Sequence, residues 1–554
     1  MLTTPLPSKV PCAFIFVTGG VSSSVGKGLT TSALASLMQS MGFRVCIRKM
    51  DPYLNVDPGT MSPLQHGEVF VTEDGTEADL DLGHYERFTG INCTRYDSTT
   101  AGRVYVDLIE RERNGEYLGA TVQVIPHVTN LIKNFIYWGS DQYDVILCEI
   151  GGTVGDIEGQ PFFESARQVA YEVGKENVIY VHLTLVPYLK ASGELKTKPS
   201  QHSVKALNAL GIQPDFLICR TQSAQMSAAD KRKIALFCNV KEGNVIEAQD
   251  VDNIYKIPLI YKEQGLDTKI SALLGHGPLE ADVSHWKEIV ERTRSLANSG
   301  KKLSVAIIGK YSGLCDAYIS VDAALQHAAF AVGVNLSVQI IDARGENMSD
   351  LSKFDMILIP GGFGNNGIDG KLLAITHARV NNVPFLGICF GFQLAILEFA
   401  RNVVGIKDAD STEFNKNCKA PVICFLDEWH RSDSSVERRD QSSQLGGTMR
   451  LGKYNCVLKK GSKAYTIYNE TEVIAERHRH RYEANPHYLP ELERKGMLFS
   501  GHSERGCNIP EILELTDHPW FLGVQFHPEF KSRIFKPHPL FLSFVKAGLL
   551  RKYS

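Results

Sequence analysis

The sequence predicts an α/β protein of two domains with mainly parallel sheets. Three observations predict it. Short β-branched runs alternate with helix-like stretches through most of the 554 residues, the pattern of strands joined by helical crossovers. The alternation stops from about 277 to 302, where a charged helical stretch (HWKEIVERTRSLANSGKK) intervenes, and then restarts. Each series also carries a glycine-flanked strand-to-helix turn with a reactive side chain, Lys27 in the first and Cys389 in the second. The expected organisation is a domain at 1–276, a linker at 277–302 and a domain at 303–554, within the two to four domains that this length allows.

The elements follow in order. AFIFVT at 13–18 is the first strand, leading into a glycine loop and the helix-like LTTSALASLMQSM. FRVCI at 43–47, YDVILC at 143–148, NVIYV at 177–181 and DFLIC at 215–219 are further strands. LSVAIIG at 303–309 opens the second series, which runs through DMILI at 355–359 to PFLGIC at 384–389. The polar stretch HRSDSSVERRDQSSQ at 430–444 reads as a mobile surface loop. A net charge of −3 makes no electrostatic case for nucleic acid or an acidic membrane, and no apolar run approaches a membrane span. Twelve cysteines without a C-x-x-C pair fit a reducing compartment. The start MLTTPLPSKVP lacks signal or transit features, so a cytoplasmic enzyme is expected.

Two turns carry the chemistry. PFLGIC runs into GFQLAILEFA, which puts the Cys389 thiol on a sharp strand-to-helix turn, following the logic of a nucleophile elbow. A helix N-terminus favours both a thiolate and an oxyanion. In FHPE at 526–529, His527 is placed to take the proton and Glu529 to orient the ring. A lone cysteine is more often a buried structural residue. The flanking glycines, the order Cys…His-x-Glu and PGGFG at 360–364 argue against that here. In the first series, GGVSSSVGKG at 19–28 is a loop whose N–H groups can converge on phosphate, with Lys27 beside a helix start. Gly28 stands where the usual phosphate loop has the Ser or Thr that binds Mg²⁺. Asp81 in DLDLGHYERF and Glu149 at the end of DVILCE are the alternative metal carboxylates, since Mg²⁺ takes one or two of these plus substrate phosphates. Either also reads as an ordinary solvated acid. The segment 49–70 is too rich in functional groups for a plain connector. KTKPSQH at 196–202 groups two cations with hydrogen bonders, either for a second phosphate-bearing ligand or as a solvated charge run.

These segments resemble a known family. PGGFG, GICFGFQ and FHPEF are similar to class I (triad) glutamine amidotransferases. GGVSSSVGKG, KMDPYLNVDPGTMSPLQHGEVFV, DLDLGHYERF, GATVQVIPHVT, EIGGTVGDIE, LTLVPYLKASGELKTKPSQHSVK, STEF, GGTMRLG and ERHRHRYE extend the resemblance, in order, to the CTP synthases. It implies an N-terminal amidoligase domain of dethiobiotin synthetase-like, P-loop type and a C-terminal amidotransferase domain. It implies conversion of UTP to CTP through a 4-phosphorylated UTP, with ammonia channelled from glutamine hydrolysis.

The residues carried over are these. Ser24, Val25, Gly26, Lys27, Gly28, Leu29, Lys49 and Asp81 would bind ATP, and Asp81 and Glu149 would bind Mg²⁺. Ser23, Lys196, Thr197, Lys198, Pro199, Ser200, Gln201 and Lys233 would grip UTP, while Asp156, Ile157 and Glu158 would help bind the inhibitor CTP. Asp250 and Asp252 lie near the expected adenine pocket. Cys389, His527 and Glu529 would form the triad, with Gly362 and Phe390 supplying the oxyanion N–H groups. Gly391, Phe392, Gln393, Glu413 and Arg481 would complete the glutamine site, to which His478 and His480 are also assigned, two histidines being too few for a metal. Pro63, His66 and Val69 would line the ammonia passage. Phe363, Asn366 and Arg479 mark the region for the activator GTP, with Arg477 nearby. A homotetramer able to form filaments is implied, with no nucleic-acid or membrane partner. The sequence departs mildly from the family at Ser22, Ser200, Phe390 and Phe392. Asn366 is the larger departure, since Arg is usual there. A cobyrinate-type amidating ligase would lack KTKPSQHS and DPGTMSP, and a scaffold without catalysis would not retain the triad, Lys27 and both carboxylates.

Overall fold

The computed structural model describes residues 12–222, 224–297, 300–310, 315–345, 350–425, 428–430, 436–438, 449–504 and 509–554. The stretch at 430–444 lies outside them apart from His430 and the strand Val436–Arg438. The chain forms two compact units. One comprises Met1–Pro58 and Asp81–Arg292, the other Gly59–Leu80 and Thr293–Ser554.

The first unit is built on seven strands: β1 (Ala13–Gly19), β2 (Val45–Asp51), β3 (Ser98–Thr100), β4 (Val145–Ile150), β5 (Val178–Leu185), β6 (Phe216–Thr221) and β7 (Val245–Gln249). Their order is β7-β6-β5-β1-β4-β2-β3, and every pairing is parallel. Helices cover both faces of such a sheet, so its strands are apolar almost throughout. Phe14, Phe16, Ile146 and Cys148 fill one core accordingly. Strand order reverses around β1, the position where open α/β sheets leave a crevice at their C-terminal ends. The glycine loop leaves β1 there and enters helix α1 (Lys27–Ser40). Helices α2 (Asp81–Thr89) and α3 (Lys198–Ala209) begin near the same end. Helix Ser284–Ala297, in the expected linker, is anchored on the first unit by Trp286, which stacks on Tyr255 and donates Nε1–H to Ser36 Oγ at 3.0 Å.

The main sheet of the second unit has nine strands: β8 (Lys302–Gly309), β9 (Asn335–Asp342), β10 (Met356–Ile359), β11 (Phe385–Ile388), β12 (Arg450–Leu458), β13 (Val473–His480), β14 (Met497–Ser503), β15 (Pro510–Leu515) and β16 (Phe521–Val524). They are ordered β9-β8-β10-β11-β16-β15-β14-β12-β13. The half from β9 to β16 is parallel and the half from β16 to β13 antiparallel. Leu303, Val305 and Ile307 face one core while Ala306 and Ile308 face the other, the period-2 alternation of a strand buried on both sides.

The segment 59–80 is cut from the first unit's sequence and folds with the second. Its hairpin, Phe70–Val71 with Glu77–Ala78, lies flat on β12. A Cβ at Gly452, whose φ is +86°, would come within 2.5 Å of Gly75 N. Arg477 is fully buried and donates to the Val71 carbonyl at 3.0 Å. Glu68 turns its carboxylate onto Ser320 N at 3.0 Å, at the start of helix Ile319–Val332, where a negative charge is favoured.

Candidate active sites

In the first unit two lysines and two carboxylates converge at the C-terminal end of the sheet. Lys27, the first residue of α1, is buried and donates Nζ–H to the Gly152 carbonyl at 2.7 Å. Burial lowers its pKa, while Glu149 opposes the change. Lys49 Nζ is held by Asp81 and by Glu149 Oε1 at 3.1 Å, with Asp51 Oδ1 at 3.6 Å. Burial raises the pKa of Glu149 and Lys49 pulls it down, and Tyr85 donates its hydroxyl to the same carboxylate. Gly28 is required here, since a Cβ would lie 1.9 Å from Asp81 Oδ1.

This cradle suits a divalent cation. It brings two carboxylates together in a desolvated place facing a phosphate loop, and Mg²⁺ usually takes one or two carboxylates plus substrate phosphates. Among the described residues no group of three His, Cys, Asp or Glu could hold a metal on its own.

The remaining expected nucleotide contacts divide into two sets. Ser24 adopts φ 55°, and its carbonyl accepts from Arg220 Nη1 at 2.8 Å. Arg220 Nε also binds Asp250 at 2.8 Å, so this arginine ties the glycine loop to the acidic run, whereas Asp252 pairs with Lys256. Thr197, Ser200 and Gln201 are buried at the start of α3, with Gln201 Nε2 on Thr197 Oγ1 at 3.2 Å and Ser200 joined to Thr184 at 2.7 Å. Lys196 pairs with Glu194, which also feels the charge of Lys233. Asp156, Ile157 and Glu158 are exposed, and no described contact joins them to α3. His182, sandwiched between Thr18 and Ser203, is kept neutral by burial, its pKa lowered to about 3.

In the second unit β11 ends at Ile388, and helix α4 (Phe390–Phe399) begins after a single intervening residue. Cys389 makes the turn alone with φ 51° and ψ −96°, a strained backbone for a residue with a Cβ. Phe390 N–H leads the helix, where the first N–H groups have no intrahelical acceptor. His527 and Glu529 meet at 2.7 Å, Nδ1 to Oε1. Burial alone would lower the imidazole pKa, but Glu529 and the adjacent Cys389 side chain outweigh it and raise it to about 10. Nε2 is buried without a partner in conventional hydrogen-bond geometry, and Cys389 acts on the ring as a close electrostatic neighbour. The thiol is also 3.7 Å from the Arg479 carbonyl and receives Gln525 Nε2–H at 3.6 Å.

The family profile described as CTP synthase N-terminus matches residues 13–276, and that of the class-I glutamine amidotransferases matches 313–547. The CTP synthase of Neorickettsia sennetsu is 94% identical over 98% of this chain and 99% of its own. The chain belongs to the CTP synthase family. The CTP synthase of Bradyrhizobium sp. BTAi1 is 53% identical over 97% of this chain and 99% of its own. The solved glutaminase domain of Trypanosoma brucei CTPS with bound acivicin is 35% identical, covering 46% of this chain and 96% of that one, with a TM-score of 0.41. Membership makes this a glutamine-dependent ligase that converts UTP to CTP. Among the described residues no helix is long and apolar enough to cross a membrane.

Around the elbow the expected glutamine residues are gathered but differently occupied. Gly364 N donates to Glu413 at 2.6 Å, and burial raises the pKa of that carboxyl. Burial also lowers the pKa of half-buried Arg481. Gly362 and Phe390 approach each other, a Cβ on Gly362 falling 3.9 Å from the phenyl ring. Gln393 spends its amide on the Tyr482 carbonyl at 2.8 Å and on Gln525 Oε1 at 3.3 Å. Phe392 is buried in the core, and Gly391 presses on the Ile359 carbonyl. His478 Nδ1 and His480 Nε2 face each other at 2.9 Å beside the buried Arg450–Glu511 pair. Arg479 stacks over Phe363 at 5.1 Å and binds Glu77 at 2.7 Å and the Gly59 carbonyl at 3.1 Å. Asn366 is exposed. Pro63 and His66 bound a four-residue helix, with Val69 next to the hairpin.

Sequence reasoning passed over Gln525 and Arg220. Gln525 stands two residues before His527 in an extended run, which places both on one face. Arg220 is a charge at the end of an apolar strand, beside the crevice.

The His527–Glu529 pair fixes a pH dependence. The folded pKa of His527 lies above its unfolded value of 6.5, so the pair's contribution to stability is complete below about pH 6.5 and is lost as pH rises through about 10. Thermal unfolding of the parent and Glu529→Gln across this range measures it. The difference in midpoint is expected to be widest near pH 6 (about) and to close by about pH 10.5; a difference that does not change with pH contradicts the assignment.

Proposed function

We propose that the enzyme runs two half-reactions on two separate constellations, and the observation that carries this is their presence in different compact units of one chain. In the second unit His527, which its neighbours keep protonated at neutral pH, holds the proton given up by Cys389, and the thiolate attacks the amide carbon of glutamine. A C–S bond forms while the carbonyl π pair moves onto oxygen, opposite the N–H groups of Gly362 and Phe390. Collapse breaks the C–N bond, and His527 returns its proton to the departing ammonia. Water then hydrolyses the thioester.

In the first unit Lys27 and Lys49 neutralise the phosphate charge of ATP as its γ-phosphoryl passes to O4 of UTP, where catalysis is mostly positioning and charge neutralisation. Asp81 and Glu149 would hold Mg²⁺, which when bound offsets further phosphate charge. Ammonia displaces the phosphate from C4 and CTP results. Ser23, residues 196–201 and Lys233 grip UTP, and Asp156, Ile157 and Glu158 serve feedback inhibition by CTP. The ammonia travels along Pro63, His66 and Val69, protected from protonation in bulk water, and the working assembly is a homotetramer.

Cys389→Ala is expected to abolish CTP formation from glutamine and to retain it from supplied ammonia. Lys27→Ala is expected to lose both, by about a thousandfold or more, because losing a charge on the transferring group costs several kcal/mol (roughly) of transition-state stabilisation. A steady-state assay with each nitrogen source decides. Equal loss from both sources in Cys389→Ala, or near-normal ammonia-dependent activity in Lys27→Ala, overturns the division of labour.

GTP activation is proposed in a weakened form. Asn366 offers a neutral amide where the family has a permanent cation, and neighbouring cations are engaged. Arg477 and Lys371 are buried, Lys371 beneath Phe390 at 4.7 Å, and Arg479 is bound to Glu77. One lost charge-assisted contact corresponds to about ten- to a hundredfold in affinity. Asn366→Arg should lower the half-activating GTP concentration for glutamine-dependent synthesis by that factor. An unchanged titration, in both midpoint and maximal stimulation, contradicts it.

A further inference from the structure

The buried carboxamide of Gln525 is oriented by a chain of contacts that leaves it one choice. The Tyr482 carbonyl can only accept, so the Gln393 group 2.8 Å away must be its NH₂. That same NH₂ faces Gln525 at 3.3 Å, so Gln525 must present its oxygen there. The Gln525 NH₂ is thereby turned to the Cys389 sulfur at 3.6 Å. Gln525 is fully buried and Gln393 nearly so. An amide flip, ordinarily an open assignment, is closed here by a backbone carbonyl at the far end.

We infer that Gln525 is a further catalytic residue of glutamine hydrolysis, a fixed N–H donor to the Cys389 sulfur that favours the thiolate before attack and when it leaves the thioester. The inference rests on the proposed role of Cys389 as nucleophile. A donor to sulfur stabilises the charged form, and Gln525 does this with no proton of its own to lose. It complements His527, which gives and takes a proton, whereas the Arg479 carbonyl, 3.7 Å from the sulfur, can pair only with the protonated thiol. The charged and titratable groups around the sulfur are His527 with Glu529 on one side and His478, Arg479 and Arg481 on β13 and just beyond it. Glu413 and Lys371 lie behind Phe390. Arg479 is neutralised by Glu77, and burial keeps His478 uncharged. Gln393, expected from family resemblance to bind glutamine, also aims Gln525.

The test is the pH profile of Cys389 alkylation by iodoacetamide, an uncharged probe that needs no glutamine site, read by mass spectrometry of the Cys389 peptide in the full-length enzyme. In Gln525→Met, which keeps the shape and removes the donor, the midpoint of the profile should move up by about one pH unit, a tenfold loss of thiolate at fixed lower pH. The high-pH plateau should remain. Gln525→Glu should move it at least as far, because an ionised carboxylate cannot donate and repels sulfur. It also carries the test if the methionine variant does not fold. Glutamine hydrolysis should lose kcat with little change in KM. Profiles that superimpose on the parent's overturn the inference. If Cys389 of the parent enzyme is instead not alkylated at any pH, it is not a reactive nucleophile and the underlying reading of the site fails with it.

Discussion

The end of β10 and the start of α4 approach so closely that only glycine fits between them. A Cβ on Gly391 would lie 2.3 Å from the Ile359 carbonyl, and one on Gly387 2.7 Å from the Gly391 carbonyl carbon. Pressed against the sheet in this way, the chain between β11 and α4 has a single residue in which to turn, and Cys389 takes a φ of 51°. Ile359 is also the last residue of β10, so the same contact fixes where PGGFG begins. Gly361 then sits so near His527 that a Cβ would meet its Cε1 at 2.6 Å. One steric constraint therefore sets the proposed nucleophile, oxyanion donors and base together. Its cost in backbone strain, of order 1–3 kcal/mol, is offset by a core buried on both faces of the sheet.

The first unit solves a different problem with similar means. On the proposed reading its site holds negative phosphates beside two carboxylates. The close fit of Gly28 to Asp81 and the burial of Lys27, Lys49 and Glu149 bring opposite charges together away from water. In that setting each charge matters more than it would in solvent. Tyr85, Gly152 and Arg220 hold the participants by hydrogen bonds rather than by charge balance alone, so the cluster can keep its geometry as substrate phosphates arrive.

What could be read from the sequence was what short-range pattern encodes. Apolar strands ending in glycine turns at 13–19 and 385–388 stand out because parallel strands are apolar throughout, and Lys27 and Cys389 follow them directly. The antiparallel half of the second sheet was not read. Its β12 and β13 carry RLGKYNCVL and VIAERHRH, charged runs that look solvent-facing. Arg450, Arg477, His478 and His480 are buried nevertheless, because their partners, Glu511 and the hairpin at 70–78, come from distant stretches. Residues 59–80 lie within the N-terminal profile's span and yet group with the second compact unit. Their attachment to the second unit rests on Val71, Glu73 and Glu77 meeting Arg477, Lys453 and Arg479, pairs that no local pattern announces. Gln525 carried a faint signal, its spacing from His527, but its importance lies in an amide orientation that only three-dimensional contacts decide.

The elbow's geometry depends on the Gly391–Ile359 approach, and Gly391→Ala tests that dependence most directly. A single methyl group would push the start of α4 off the Ile359 carbonyl of β10 while leaving every polar side chain of the site in place. The expected result is loss of glutamine hydrolysis by about a hundredfold or more, the cost of misplacing reacting atoms by an ångström. CTP synthesis from supplied ammonia should be retained, with thermal stability lowered by only about 1–3 kcal/mol. Full glutamine-dependent activity in a folded Gly391→Ala enzyme would show that the elbow does not depend on this contact, and would contradict the account.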